Sequence, residues 1–141
     1  MRILKVFTDG ASRGNPGQSG IGVVVYDENN FIVESRKEYL GETTNNQAEY
    51  RAIIKSLDVL KKIFESGKDF GCIEFYSDSE LIVNQLNFNY AVKEPGLALL
   101  NNKFHVKAKK LGIKFSIKHI ERSLNKAADR LANLAIDSKT K

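Results

Sequence analysis

The chain predicts an α/β fold on a mixed five-stranded sheet, with elements in the order βββαβααβα. Three observations carry the prediction. Residues 1–40 hold β-forming runs separated by turn chemistry; later segments show helical spacing of apolar residues; and short strands stand between those helices. A meander pairs antiparallel, whereas strands separated by helices pair in parallel and need helical cover on both faces.

Ile3 to Thr8, Ile21 to Tyr26 and Phe31 to Tyr39 are the meander strands, the last two joined across the turn Asp27-Glu-Asn-Asn30. Thr43-Thr-Asn-Asn46 introduces a helix whose apolar residues Ile53, Leu57, Leu60 and Phe64 step by four, three and four, ending near Gly67. Cys72 to Ser77 is a short strand and Ser79 to Leu86 a helix. Pro95 opens another helix, since proline is tolerated in the first turn, and Gly112 closes it. In Ile113 to Ile120, Phe115 and Ile117 alternate with Lys114, Ser116 and Lys118, as in a half-buried strand. A final helix runs from about Lys126 to Ile136.

At 141 residues and 42% hydrophobic content, residues 1–141 read as one domain able to bury its own core. No run approaches the ~18 apolar residues of a membrane span, so the expectation is a cytoplasmic monomer with no membrane partner. The single cysteine, Cys72, has no Cys or His at metal-ligand spacing and is expected to be a small core residue. Charge is divided unevenly. Residues 1–92 carry 10 Lys/Arg against 13 Asp/Glu, residues 93–141 carry 12 against 4. The basic C-terminal third is either a polyanion-binding surface or a solvated helix face.

FTDGASRGNPG, Phe7 to Gly17, ends a β-run on an aspartate and enters a turn crowded with glycine. It fits neither a P-loop, which needs Gly-Lys-Ser/Thr, nor a dinucleotide fingerprint, which needs G-x-G-x-x-G opening a helix. The glycines therefore serve a strand-to-strand turn.

Four acids stand at the ends of elements. Asp9 ends the first strand, and Asp78 follows the fourth in SDSE. Stepping back by four from Leu57 and Ile53 lands on Glu49, so this carboxylate lies on a core-facing stripe. Asp129 opens the last helix beside the apolar face of Ala132 and Ile136. Each has a structural alternative: a turn aspartate for Asp9, a capping box of Asn46 with Glu49, an N-cap at Asp78 or its serine neighbours, and a helix-dipole partner at Asp129. On one edge of an open α/β sheet, strand ends and helix starts converge, and four carboxylates there repel one another unless cations are bound. Oxygen ligands without His or Cys suit Mg²⁺ or Mn²⁺, and shared carboxylates can hold two ions ~3.5 to 4 Å apart, an arrangement suited to phosphodiester hydrolysis. No serine or cysteine has a recognisable activating base.

FTDGASRGNPG, TTNNQAEYRA, YSDSELIV and NKAADRLANLA together resemble the type 1 ribonuclease H family, in its order and over nearly the whole chain. The resemblance implies a ribonuclease H-like fold and two-metal cleavage of the RNA strand of RNA/DNA hybrids, leaving 5′-phosphate and 3′-hydroxyl ends. It implies a metal-binding catalytic quartet of Asp9, Glu49, Asp78 and Asp129, with Asp9 bridging both ions, Glu49 and Asp78 on the leaving-group side, and Asp129 on the ion that activates water. Gly10, Ala11, Ser12, Asn15, Asn45 and Asn46 would enter the hybrid's minor groove, whose exposed 2′-hydroxyls distinguish RNA, and Thr44 would grip a DNA phosphate. Turn formation for Asn15 and helix capping for Asn45 and Asn46 are the alternatives.

The chain departs from the family pattern in three places. Glu80 stands where many relatives carry glutamine. Asn87 to Glu94 is too short for the basic handle of bacterial members, for which the basic C-terminal third is the candidate compensation. The loop between Ile120 and Asn125 lacks the family's mobile histidine, which makes Arg122 the candidate substitute; the alternative is a solvated loop arginine. His119 falls inside a predicted strand and His105 inside a helix, so both read as structural. A non-catalytic hybrid- or RNA-binding module with the same fold is the competing class, and the presence of all four acids argues against it. An integrase-like or exonuclease domain would share the carboxylates without TTNN and GNPG.

Overall fold

The computed structural model describes residues 2–67 and 71–139. β1 (Ile3–Gly14), β2 (Gly17–Tyr26) and β3 (Ile32–Thr43) form the antiparallel meander; β4 (Cys72–Ser77) and β5 (Phe115–His119) extend the sheet in parallel from β1. The strand order is β3-β2-β1-β4-β5. α1 (Asn45–Glu65), α2 (Glu80–Leu86), α3 (Pro95–Leu111) and α4 (Lys126–Lys139) follow the expected order, with a 3-10 turn at Arg122–Leu124 before α4. Among the described residues no helix is long and apolar enough to cross a membrane.

The meander differs from expectation at the glycine-rich stretch. β1 does not end at Asp9 but continues to Gly14, with Asp9 opposite Gly22 and Gly14 opposite Gly17, so the turn shrinks to Asn15 and Pro16. Low β-propensity made residues 10–20 read as loop. Tertiary packing overrides it. A Cβ on Gly10 would overlap the α1 backbone at Ala48 and Glu49, and one on Gly22 would overlap the α4 backbone at Ala128, so these glycines permit strand and helix to touch.

Side-chain alternation splits the sheet into two faces. Leu4 and Val6 of β1, Val23 and Val25 of β2, and Ile73 and Phe75 of β4 join Ile53, Leu57 and Leu60 of α1 and Phe104 of α3 in one core. Burying each of these aliphatic side chains contributes about 1.5–3 kcal/mol. α4 covers the opposite face over β2 and is followed along one edge by the ion pair Arg13–Asp137 at 2.7 Å. Cys72 is not in the core: as the first residue of β4 it is half-buried.

Candidate active site

The topology delivers the four acids to one end of the sheet. β4 stops pairing with β1 at Phe7↔Tyr76, so beyond Phe7 that side of β1 is open while its other side stays paired to β2. Into the opening comes α1: the Gly10 amide donates to Glu49 Oε1 at 2.9 Å. Asp78 follows the last residue of β4. Asp9, Glu49 and Asp78 each present a carboxylate oxygen, all within 4.8 Å of one another.

The capping alternatives resolve against Glu49 and Asp78. Thr44, not Asn46, caps α1, its hydroxyl oxygen accepting from the Gln47 amide at 3.2 Å, and the capping box does not form. Ser79 caps α2 through the Ile82 amide at 3.3 Å. Both neighbouring acids are thus released from helix-end duty. Asp129 sits in the first turn of α4, held by Asn133 Nδ2, near enough to help raise the Asp9 pKa but outside the cluster of the other three carboxylates.

Of these acids Asp9 is buried, only 4% exposed, while Glu49, Asp78 and Asp129 are half-buried around it. Burial, reinforced by the charges of Glu49 and Asp78 and by Asp129, pushes the Asp9 carboxyl up to about 10. Burial also pushes Glu49 up, to about 8, opposed by the Gly10 amide and by the positive charge of Arg122. The cluster therefore favours either bound protons or bound cations over bare negative charge. Arg122 is exposed at the start of the 3-10 turn; its charge reaches Glu49 only weakly, and among the described residues no ion pair or hydrogen bond joins the two.

Residues 7–135 match the family described as reverse transcriptase-like. Ribonuclease HI of Halobacterium salinarum is 39% identical over 139 residues, covering 95% of this chain and 64% of that protein. LC11-RNase H1, solved in complex with an RNA/DNA hybrid, superposes with a TM-score of 0.90 at 41% identity, over 98% of this chain and 99% of that one. The chain belongs to the type 1 ribonuclease H family. The bifunctional protein Rv2228c of Mycobacterium tuberculosis, 39% identical over 145 residues, is matched over 36% of its length. This chain thus spans less than two thirds of the Halobacterium salinarum and Mycobacterium tuberculosis proteins.

The residues that the ribonuclease H resemblance assigns to substrate line the same edge. Asn15 Oδ1 accepts from the Asn45 amide at 3.0 Å, clamping the β1–β2 turn to α1, and Ser12 Oγ donates to the Thr43 carbonyl at 3.1 Å. Asn15, Asn45 and Asn46 are exposed, while Gly10, Ala11, Ser12 and Thr44 are half-buried. The Gly10 amide is committed to Glu49, which removes it as a donor to substrate. Neither Asn45 nor Asn46 caps α1.

The departures from the ribonuclease H pattern have plain geometries. Glu80 is the first residue of α2, its Oε1 accepting from Tyr90 at 3.4 Å. α2 and α3 are joined by Asn87 to Glu94 alone. Lys103, Lys107 and Lys110 of α3 line furrows against α1, where Lys107 pairs with Asp58 at 2.8 Å. His119 ends β5 opposite Ser77 and is exposed, not packed. His105 packs: it stacks on Phe88 at 4.7 Å, its Nε2 lies 3.1 Å from the Leu86 carbonyl, and burial lowers its pKa.

Sequence reasoning missed two polar groups. Tyr50, beside Glu49, is fully buried and donates to Gln85 Oε1 at 2.7 Å while accepting from Asn101 at 3.2 Å, joining α1, α2 and α3. Asn125, 1% exposed, donates from Nδ2 to the Thr8 carbonyl at 2.9 Å and lies 3.5 Å from Asp78 Oδ2. Its only sequence signal is its place just before a helix, which also marks an ordinary N-cap.

Proposed function

We propose that this chain is a divalent-metal-dependent endonuclease that hydrolyses the RNA strand of RNA/DNA hybrids, leaving 5′-phosphate and 3′-hydroxyl ends. The observation that carries the reading is the convergence of Asp9, Glu49 and Asp78 within 4.8 Å, with Asp129 beside Asp9. The donor set fits a hard cation. It offers only carboxylate oxygens, and burial disfavours their charge unless something neutralises it.

Asp9, Glu49, Asp78 and Asp129 would hold two Mg²⁺ ions, or Mn²⁺ in their place. When bound, such ions supply an activated water and charge neutralisation at the scissile phosphate. The chain contributes the rest. The Gly10 amide holds Glu49 in place through one oxygen and leaves the other for a ligand. Arg122 balances charge at Glu49 and acts as the catalytic cation of the short loop. Ala11, Ser12, Asn15, Asn45 and Asn46 face the minor groove of the hybrid, and Thr44 meets a DNA phosphate. Asn15 retains its amide donor for a 2′-hydroxyl, since its oxygen is taken by Asn45. Residues 1–141 act as one domain and one monomer in the cytoplasm.

The test incubates purified protein with end-labelled RNA/DNA, RNA/RNA, DNA/DNA and single-stranded RNA in Mg²⁺, Mn²⁺ or EDTA. Metal-dependent cutting confined to the RNA of the hybrid is expected. Tight hybrid binding with every strand intact would replace this reading with a non-catalytic binding module.

A further inference from the structure

Asn125 stands at the junction of the segments that carry three of the acids. Its Nδ2 donates to the carbonyl of Thr8, the residue before Asp9, and reaches Asp78 Oδ2 at 3.5 Å. Its own carbonyl accepts from the Asp129 amide at 3.1 Å, and its amide donates to the Arg122 carbonyl at 2.9 Å. One residue thus ties β1, the end of β4, the 3-10 turn and the first turn of α4.

The other end of the side chain makes this unusual. Asn125 Oδ1 is buried and has no hydrogen-bond partner. A buried polar atom without a partner is costly and calls for an explanation. Rotating the amide would not help, because Oδ1 would then face the Thr8 carbonyl and the Asp78 carboxylate, both acceptors. The side chain is oriented by its donor.

We infer that Asn125 is a positioning residue for the metal-binding carboxylates: its amide orients Asp78 and holds the Asp9-bearing strand in register with the Asp129-bearing helix. The inference rests on the proposed role of Asp78 as a metal ligand. Groups that orient ligating carboxylates typically affect metal affinity by ~10–100-fold. Asn125 touches no rim residue assigned to the hybrid, so hybrid affinity is outside its reach.

The experiment measures Mn²⁺ binding to the metal-free protein by calorimetry, for the unaltered chain, Asn125→Ala and Asn125→Ser, with thermal melts to verify folding. Hybrid KM and the Mg²⁺ dependence of kcat are measured in parallel. The expected result is Mn²⁺ affinity weakened ~10–100-fold in a folded variant, KM for hybrid unchanged within about twofold, and kcat restored toward the unaltered value at saturating Mg²⁺. Unaltered Mn²⁺ affinity in a folded Asn125 variant would overturn the inference, as would kcat loss that saturating metal does not rescue. If both variants fail to fold, Asn125 is a scaffold residue and the inference is equally lost. Absence of Mn²⁺ binding by the unaltered chain would instead bring down the metal reading of Asp78 beneath it.

Discussion

Replacing Asp9 by Asn should stabilise the metal-free protein while destroying its activity. In the unfolded chain this carboxyl ionises near 3.8; in the fold, burial and three neighbouring acids raise it to about 10. Because the folded state binds a proton that the unfolded state releases, stability falls as pH rises between those two values. At about pH 7 the cost approaches ~4 kcal/mol, at about 1.4 kcal/mol for each pH unit above the unfolded value. Relaxation of Glu49 and entry of water reduce this, so a gain of about 2–4 kcal/mol is expected for the neutral amide, which can donate as the protonated acid does. For a domain of this size that corresponds to a Tm increase of roughly 6–12 °C. The assay is thermal melting in EDTA from about pH 5 to about pH 9, where the gap between Asp9→Asn and the unaltered chain should widen with pH. Excess Mg²⁺ should narrow it, because only the intact cluster gains binding energy. A gap that is absent, or constant across pH, would refute the account of a carboxylate destabilised by its own site.

Three further outcomes follow from the same geometry. With Asp9 raised to about 10 and Glu49 to about 8, metal binding at about pH 7 should release up to roughly two protons and tighten as pH rises, measurable by calorimetry in buffers of different ionisation enthalpy; zero release would contradict the protonated cluster. Arg122→Ala should slow turnover ~10-fold or more with little change in hybrid affinity, and should raise the Glu49 pKa further; an unchanged kcat would return Arg122 to a solvated loop residue. Gly22→Ala should cost about 1–3 kcal/mol by overpacking against α4, and should weaken metal binding because α4 carries Asp129, a loss readable by denaturant unfolding and Mn²⁺ calorimetry.

Periodicity and punctuation made most of the scaffold legible. The α1 stripe through Ile53, Leu57 and Leu60 is buried as its spacing demands, Pro95 opens α3 behind the Glu94 cap, and Gly112 closes it with φ 66°. These signals are local: a helix records its buried face every three or four residues, whatever it packs against. The glycine-rich stretch was misread because its glycines answer to partners far along the chain. Gly10 is small for the sake of Ala48, and Gly20 for Ala132.

The same division runs through the site. The identities of Asp9, Glu49, Asp78 and Asp129 stood in the sequence, as motifs and as positions at element boundaries, each shadowed by an ordinary capping role. Deciding between the roles took tertiary structure, because Thr44 and Ser79 compete for the same helix ends and only backbone geometry assigns the winner. The convergence of Asp9, Glu49 and Asp78 depends on strands and helices meeting at the place where β4 leaves β1. Asn125 shows the limit most sharply: its composition and spacing announce a helix cap, while its function would come from what burial forces its single donor to face. A chain determines its residue types and local periods alone; which polar groups lose water together is decided only by the assembled fold.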